Sequence, residues 1–212
     1  MAGRTVSPLG RQKARRAPYR RFTLFCEGQN TESAYFRALQ AKFPGTMVDI
    51  TIVPAAGVPM TIAQKATGQK IASRRKKDSY EKNDEIWAVF DRDTHPNHTK
   101  AVDLCESHGV GVARSDPCFE VWLILHRQEY DKFGSSDDAQ RFLQGLCPEY
   151  DRRRQKTPDC HRLLGQLTEA EHRAERQLAA RAEEGKAFGP PSTTVFHLTR
   201  AIAEAAAQSK RI

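Results

Sequence analysis

Two rhythms alternate along this chain. Short apolar runs rich in β-branched and aromatic residues are followed by longer stretches in which apolar positions return every three or four residues, the pattern of β-then-α units in a parallel sheet. Phe22 to Cys26 is the first predicted strand. Thr31 to Phe43 follows as a helix, with Tyr35, Phe36, Leu39 and Phe43 at helical spacing, Thr31 and Glu32 suited to its first turn, and Pro44-Gly45 to stop it. Met47 to Val53 is the second strand, and a helix runs from Pro59 or Met60 to about Arg74. Beyond the charged loop "SRRKKDSYEKNDE" comes the third strand, Ile86 to Phe90. A fourth cycle comprises a helix around Lys100 to Ser107, a strand Gly109 to Ala113, the loop "RSDP" and a helix from Pro117 to about Arg127. From about Asp137 the pattern is helical and charged. Glu169 to Glu184 is a long polar helix, "FGPPS" breaks it, and a last helix starts at Ser192 or Thr193 and ends near Ala207.

The expected fold is therefore α/β: a Rossmannoid with a four-stranded, mainly parallel sheet flanked by helices, plus C-terminal helices. The division is a basic arm over residues 1–20, an α/β core over 21–130 and a helical extension over 131–212 that packs on the core. No apolar run approaches the about 20 residues needed to span a bilayer. The five cysteines are odd in number, contain no C-x-x-C and follow no signal-peptide-like start, which fits a reduced, cytoplasmic setting.

Charge changes the picture at one end. The net charge is +8, and Arg4, Arg11, Lys13, Arg15, Arg16, Arg20 and Arg21 meet no acid in the first 21 residues, leaving 27 basic residues against 26 acidic in the rest. Such an arm either contacts nucleic-acid phosphates, with Arg15, Arg16 and Arg20 leading, or serves as a solvated leader. The cluster Arg74 to Lys77 carries the same two readings.

Candidate chemistry lies at the strand ends, where open α/β sheets gather functional groups. Glu27 follows the first strand, Asp91 and Asp93 follow the third, and Asp116 follows the fourth. The 64 residues from Glu27 to Asp91 are about two βαβ units, so both ends can face one edge. In "DRD" the two acids project to the same side of an extended chain. Carboxylates so crowded repel unless a cation lies between them, and hard oxygen donors suit Mg²⁺ or Mn²⁺. The opposing reading is that acids at strand ends are ordinary turn and cap residues.

Three blocks bear a resemblance to the RloB family, whose members carry C-E-G-x-x-T-E, D-R-D and N-P-C-F-E-x-W-x-x-L-H. Here these read "CEGQNTE" (Cys26 to Glu32), "FDRDTHP" (Phe90 to Pro96) and "SDPCFEVWLILH" (Ser115 to His126), with an echo of N-P-S-T-x-V in "GPPSTTVFHL". The resemblance implies a Toprim-like fold, with Glu27 as general acid or base touching metal and Asp91 and Asp93 as Mg²⁺ ligands. It also implies association with an RloA-like ATPase in anti-phage, abortive-infection loci. Asp116 replaces the family's Asn and is read as a cap for the Pro117 helix in preference to a ligand. Glu120 either completes the acidic cluster or favours the helix dipole. His126, at that helix's end, and the loop histidines His95 and His98 are candidate acids or phosphate contacts, set against core and surface readings. Arg92 and Arg114 are candidates for holding a phosphate, set against the simpler reading that they pair with the neighbouring carboxylates.

The functional expectation is a Mg²⁺-dependent nuclease cutting RNA, transfer RNA included, or DNA, controlled by a partner ATPase and open to homodimerisation. The alternative is a non-catalytic module that binds nucleic acid or a partner. A PD-(D/E)xK nuclease lacks its lysine here, and no G-x-G-x-x-G follows the first strand.

Overall fold

A computed structural model describes residues 20–28, 30–44, 46–52, 59–76, 84–92, 97–154 and 157–209, without the side chains of residues 48–52 and 76. The basic arm as far as residue 19, Asp93, His95 and Lys77 lie outside the described residues.

The first strand, β1 (Arg21–Cys26), sits between β2 (Met47–Ile52) and β3 (Glu85–Asp91), and β4 (Gly111–Asp116) flanks β3, all parallel. Helices cover both faces, so the strand interiors read as nearly continuous apolar runs. Phe22, Leu24, Cys26, Trp87, Val89 and Ala113 enter one cluster. Phe25, Ile86, Ala88 and Phe90 enter the other, under α2 (Pro59–Lys76) and α3 (His98–His108). The first face is covered by α1 (Thr31–Lys42), α4 (Glu120–Leu125), α5 (Ser136–Leu146), α6 (Cys160–Leu163), α7 (Leu167–Glu183) and α8 (Val195–Ser209).

Two differences from the sequence reading matter for function. The fourth strand begins at Gly111 rather than Gly109, because Gly109 takes the left-handed conformation (φ 69°) that closes α3. It also runs through Arg114 and Ser115 to Asp116, where a loop is expected. Those polar residues are accommodated by an additional two-residue strand, β5 (Ser192–Thr193), antiparallel to β4. Ser115 and Thr193 share a hydroxyl hydrogen bond at 2.9 Å. Thr194 prolongs the pairing: its amide donates to the Arg114 carbonyl at 2.8 Å, and its hydroxyl accepts from the Arg114 amide at 3.0 Å.

Candidate functional site

The register fixes where the strand ends meet. Cys26 lies opposite Val89 and Asp91 opposite Ser115, so Glu27, Asp91 and Asp116 leave adjacent parallel strands at one edge, with strands about 4.8 Å apart. Glu27 and Asp91 are each partly buried.

A second glutamate folds back over that edge. Glu32, in the first turn of α1, is 6% exposed and accepts from the Gly28 amide at 3.2 Å. A Cβ on residue 28 would overlap the Glu32 carboxylate, so the glycine after Glu27 is what lets this acid close over the strand end. Burial, with the neighbouring charges of Glu120 and Glu27 adding to it, pushes the Glu32 carboxyl up to about 7 against the pull of its backbone donors. Glu120 is itself 4% exposed and accepts from the Tyr150 hydroxyl at 2.7 Å. Tyr150 is raised by burial, by Glu120 and by Glu32, and the Cys118 thiol is raised by burial and then by Glu120 and Asp91. Glu27, Glu32, Asp91 and Glu120 thus share one neighbourhood.

Sequence reasoning takes Glu32 only as a first-turn residue and passes over Tyr150. The signal for Glu32 is its place as the final acid of "CEGQNTE". Tyr150 stands in a stretch without periodicity and announces nothing.

Beside the acids lies a cationic group. Arg92 Nη1 donates to Asp116 Oδ2 at 3.1 Å and to the Phe188 carbonyl at 3.1 Å. The Arg114 guanidinium rests 3.7 Å from the centre of the Phe188 ring. Asp116 is therefore not the helix cap expected of it: α4 starts only at Glu120, Phe119 is its N-cap without a side-chain bond, and the Asp116 carboxylate is taken by Arg92. Burial raises that carboxyl while Arg92 and Arg114 hold it down. His98 is 7% exposed, edge-on to Phe90 at 5.3 Å, and its Nε2 has no partner among the described residues. Burial, with Arg114 and Arg92 nearby, pushes it down to about 4.

The remaining candidates are dispersed. His126 is 1% exposed, with Nε2 against the Tyr35 hydroxyl at 3.1 Å and Nδ1 against the Trp122 carbonyl at 3.0 Å, so its ring is built into the core rather than presented to a ligand. Arg20 pairs with Glu85 at 2.6 Å and leans on Phe22. Asp93, His95, Arg15 and Arg16 lie outside the described residues. Among the described residues, no three acid, histidine or cysteine side chains converge as a ready coordination sphere. No described helix is long and apolar enough to cross a membrane.

A family model described as RloB-like protein matches residues 22–202, most of the chain. No curated protein and no solved structure matches it.

Proposed function

The chain belongs to the RloB family, and on that premise we propose that it is a Toprim-type phosphodiester hydrolase acting on nucleic acid in anti-phage defence, dependent on Mg²⁺ or Mn²⁺ and controlled by an RloA-like ATPase. The observation that carries the reading is the gathering of Glu27, Glu32, Asp91 and Glu120 at one edge of the sheet, with Glu32 pushed up to about 7 by burial and by its neighbours' charge. Like charges gathered in a partly buried place repel one another unless a proton or a cation lies among them, and active sites are where such groups are commonly arranged.

The donor chemistry fits a hard divalent cation, which takes one or two protein carboxylates and leaves its other positions to water and phosphate. Glu27, Asp91 and Asp93 would hold it, and when bound it would neutralise the crowded acids and polarise a phosphodiester. Glu27 then serves as acid or base. Glu32 holds a proton near neutrality at the rim of the same group. Tyr150 keeps Glu120 oriented through its hydroxyl. Arg92 and Arg114 stand at the same edge, on the Asp116 side, where a substrate phosphate would meet positive charge.

The test is cleavage of separate pools of plasmid, single-stranded DNA, total RNA and transfer RNA by purified protein in Mg²⁺ or Mn²⁺, with and without the partner ATPase. The expected result is cleavage of one pool that disappears with chelator and falls at least about a hundredfold in Glu27→Gln and in Asp91→Asn/Asp93→Asn. An intact, folded protein that cuts nothing even with its ATPase would establish the non-catalytic binding module instead.

A further inference from the structure

Among the described residues only four large apolar side chains are exposed, and two of them, Phe133 at 60% and Phe188 at 39%, are aromatic rings on loops. Both loops meet at the turn that precedes β5. Lys186 Nζ lies 5.6 Å from the centre of the Phe133 ring, and Arg181 lies on that ring as well, at 5.9 Å. Two residues after Lys186, Phe188 carries Arg114 against its ring. The two exposed aromatics are thus interleaved with cations over a short span.

The backbone at Phe188 is costly. The turn closes with the Gly189 amide donating to the Lys186 carbonyl at 2.6 Å, and Phe188 adopts φ 63°, the left-handed region that bulky residues avoid. A glycine would relieve the strain and remove the exposed ring together. Retaining a strained and wet phenylalanine asks for a ligand that uses the ring.

Position names the ligand. Arg92 bridges the Phe188 carbonyl and the carboxylate of Asp116, which ends β4 beside Asp91. A group stacked on Phe188 would therefore sit next to the acidic edge. Arg181 is already committed to Asp131 at 2.7 Å and Glu184 at 3.0 Å, so it stiffens the surface more than it attracts. Arg114 and Lys186 supply the cationic flank.

We propose that Phe188 and Phe133, with Arg114 and Lys186 beside them, form a stacking surface for unpaired bases, which would make single strands or unpaired loops the substrate class of the adjacent acidic site. The inference rests on the nuclease reading for its meaning but not for its detection. Unpaired bases offer their faces to aromatic rings while their phosphates meet cations, whereas a duplex keeps those faces stacked within itself.

The experiment is fluorescence anisotropy with labelled single-stranded DNA, single-stranded RNA and duplexes of the same sequence, in Ca²⁺ in place of Mg²⁺. At least one single strand should bind about tenfold or more tightly than its duplex. Phe188→Ala and Phe133→Ala should each weaken that binding by about 5- to 100-fold, while Phe188→Trp retains it. Thermal melts of each variant separate lost stacking from lost folding. Equal affinity for duplex and single strand, alanine variants that fold and bind as the wild type does, or no binding to any strand would each overturn the proposal. Cleavage in Mg²⁺ is scored independently. Single-strand binding without cleavage keeps the surface and removes the nuclease reading; cleavage by alanine variants with unchanged affinity does the reverse.

Discussion

A histidine at the end of a helix can serve chemistry or packing, and surroundings decide which. His126 touches Tyr35 and Trp122 by hydrogen bonds and by edge-on ring contacts, and Arg173 is the charged group that opposes its protonation. Burial pushes it from 6.5 down to about 4, so the folded protein keeps the ring neutral while the unfolded chain takes a proton in that window. Stability from this residue is present in full above about pH 6.5 and is lost as pH falls toward 4, by about 2 to 3 kcal/mol. Urea unfolding near pH 7.5 and about pH 4.5 should show the wild type losing that much more stability than His126→Gln on acidification. Equal losses would mean that the ring is protonated in the folded state. At this scale the sequence displays residue types but not their company. Glu27 and Asp91 were legible because strand ends announce themselves. Glu32 was not, since its value depends on Gly28 having no side chain and on Glu120 arriving from a helix nearly ninety residues away.

The elements that were hard to read are those held by side chains in place of periodicity. All four parallel strands carry apolar runs and were visible. The fifth has two residues, follows a proline pair and shows no alternation to betray it. What holds it is hydroxyl chemistry. Thr194, 5% exposed, uses its Oγ1 to accept from the Arg114 amide and to donate to the Val112 carbonyl at 3.3 Å, substituting for a strand partner beyond the end of β5. Thr194→Val keeps the volume but leaves that amide unpaired in a partly buried place, which costs about 1 to 3 kcal/mol. Chemical denaturation should report that loss, with Thr194→Ser recovering most of it. A valine variant within about 0.5 kcal/mol of the wild type would show that the hydroxyl does not act as the strand's partner.

On the scale of the whole molecule, the three full motif blocks and the β-α cycles both end near residue 126, which makes residue 130 look like a natural boundary. The apolar contacts ignore it. Val121, Trp122, Leu123, Ile124 and Leu125 of α4 are completely buried, and their cluster draws on Leu143, Leu163, Ala170, Phe196 and Ile202 from the later helices and on Tyr150 from the loop between α5 and α6. Polar ends are tied across the same line: Arg173 donates to the Leu125 carbonyl at 2.7 Å, Gln177 to the Tyr130 carbonyl at 2.5 Å, and Tyr150 to the Glu120 carboxylate. The helices that look like an extension in a charged sequence are the cover of one face of the sheet, and Tyr150, on the loop between α5 and α6, holds Glu120 among the other acids. A chain ending at residue 130 would expose the five consecutive apolar residues Val121 to Leu125 of α4 and leave two carbonyls and the Glu120 carboxylate without their donors. Expressed alone, it should bind a hydrophobic dye and unfold without a cooperative transition, whereas the whole chain melts as one unit. A fragment that melted cooperatively, with the near-ultraviolet signature of packed tryptophan at Trp122, would show that the core is sufficient without its C-terminal helices and that the acidic edge can form without Tyr150.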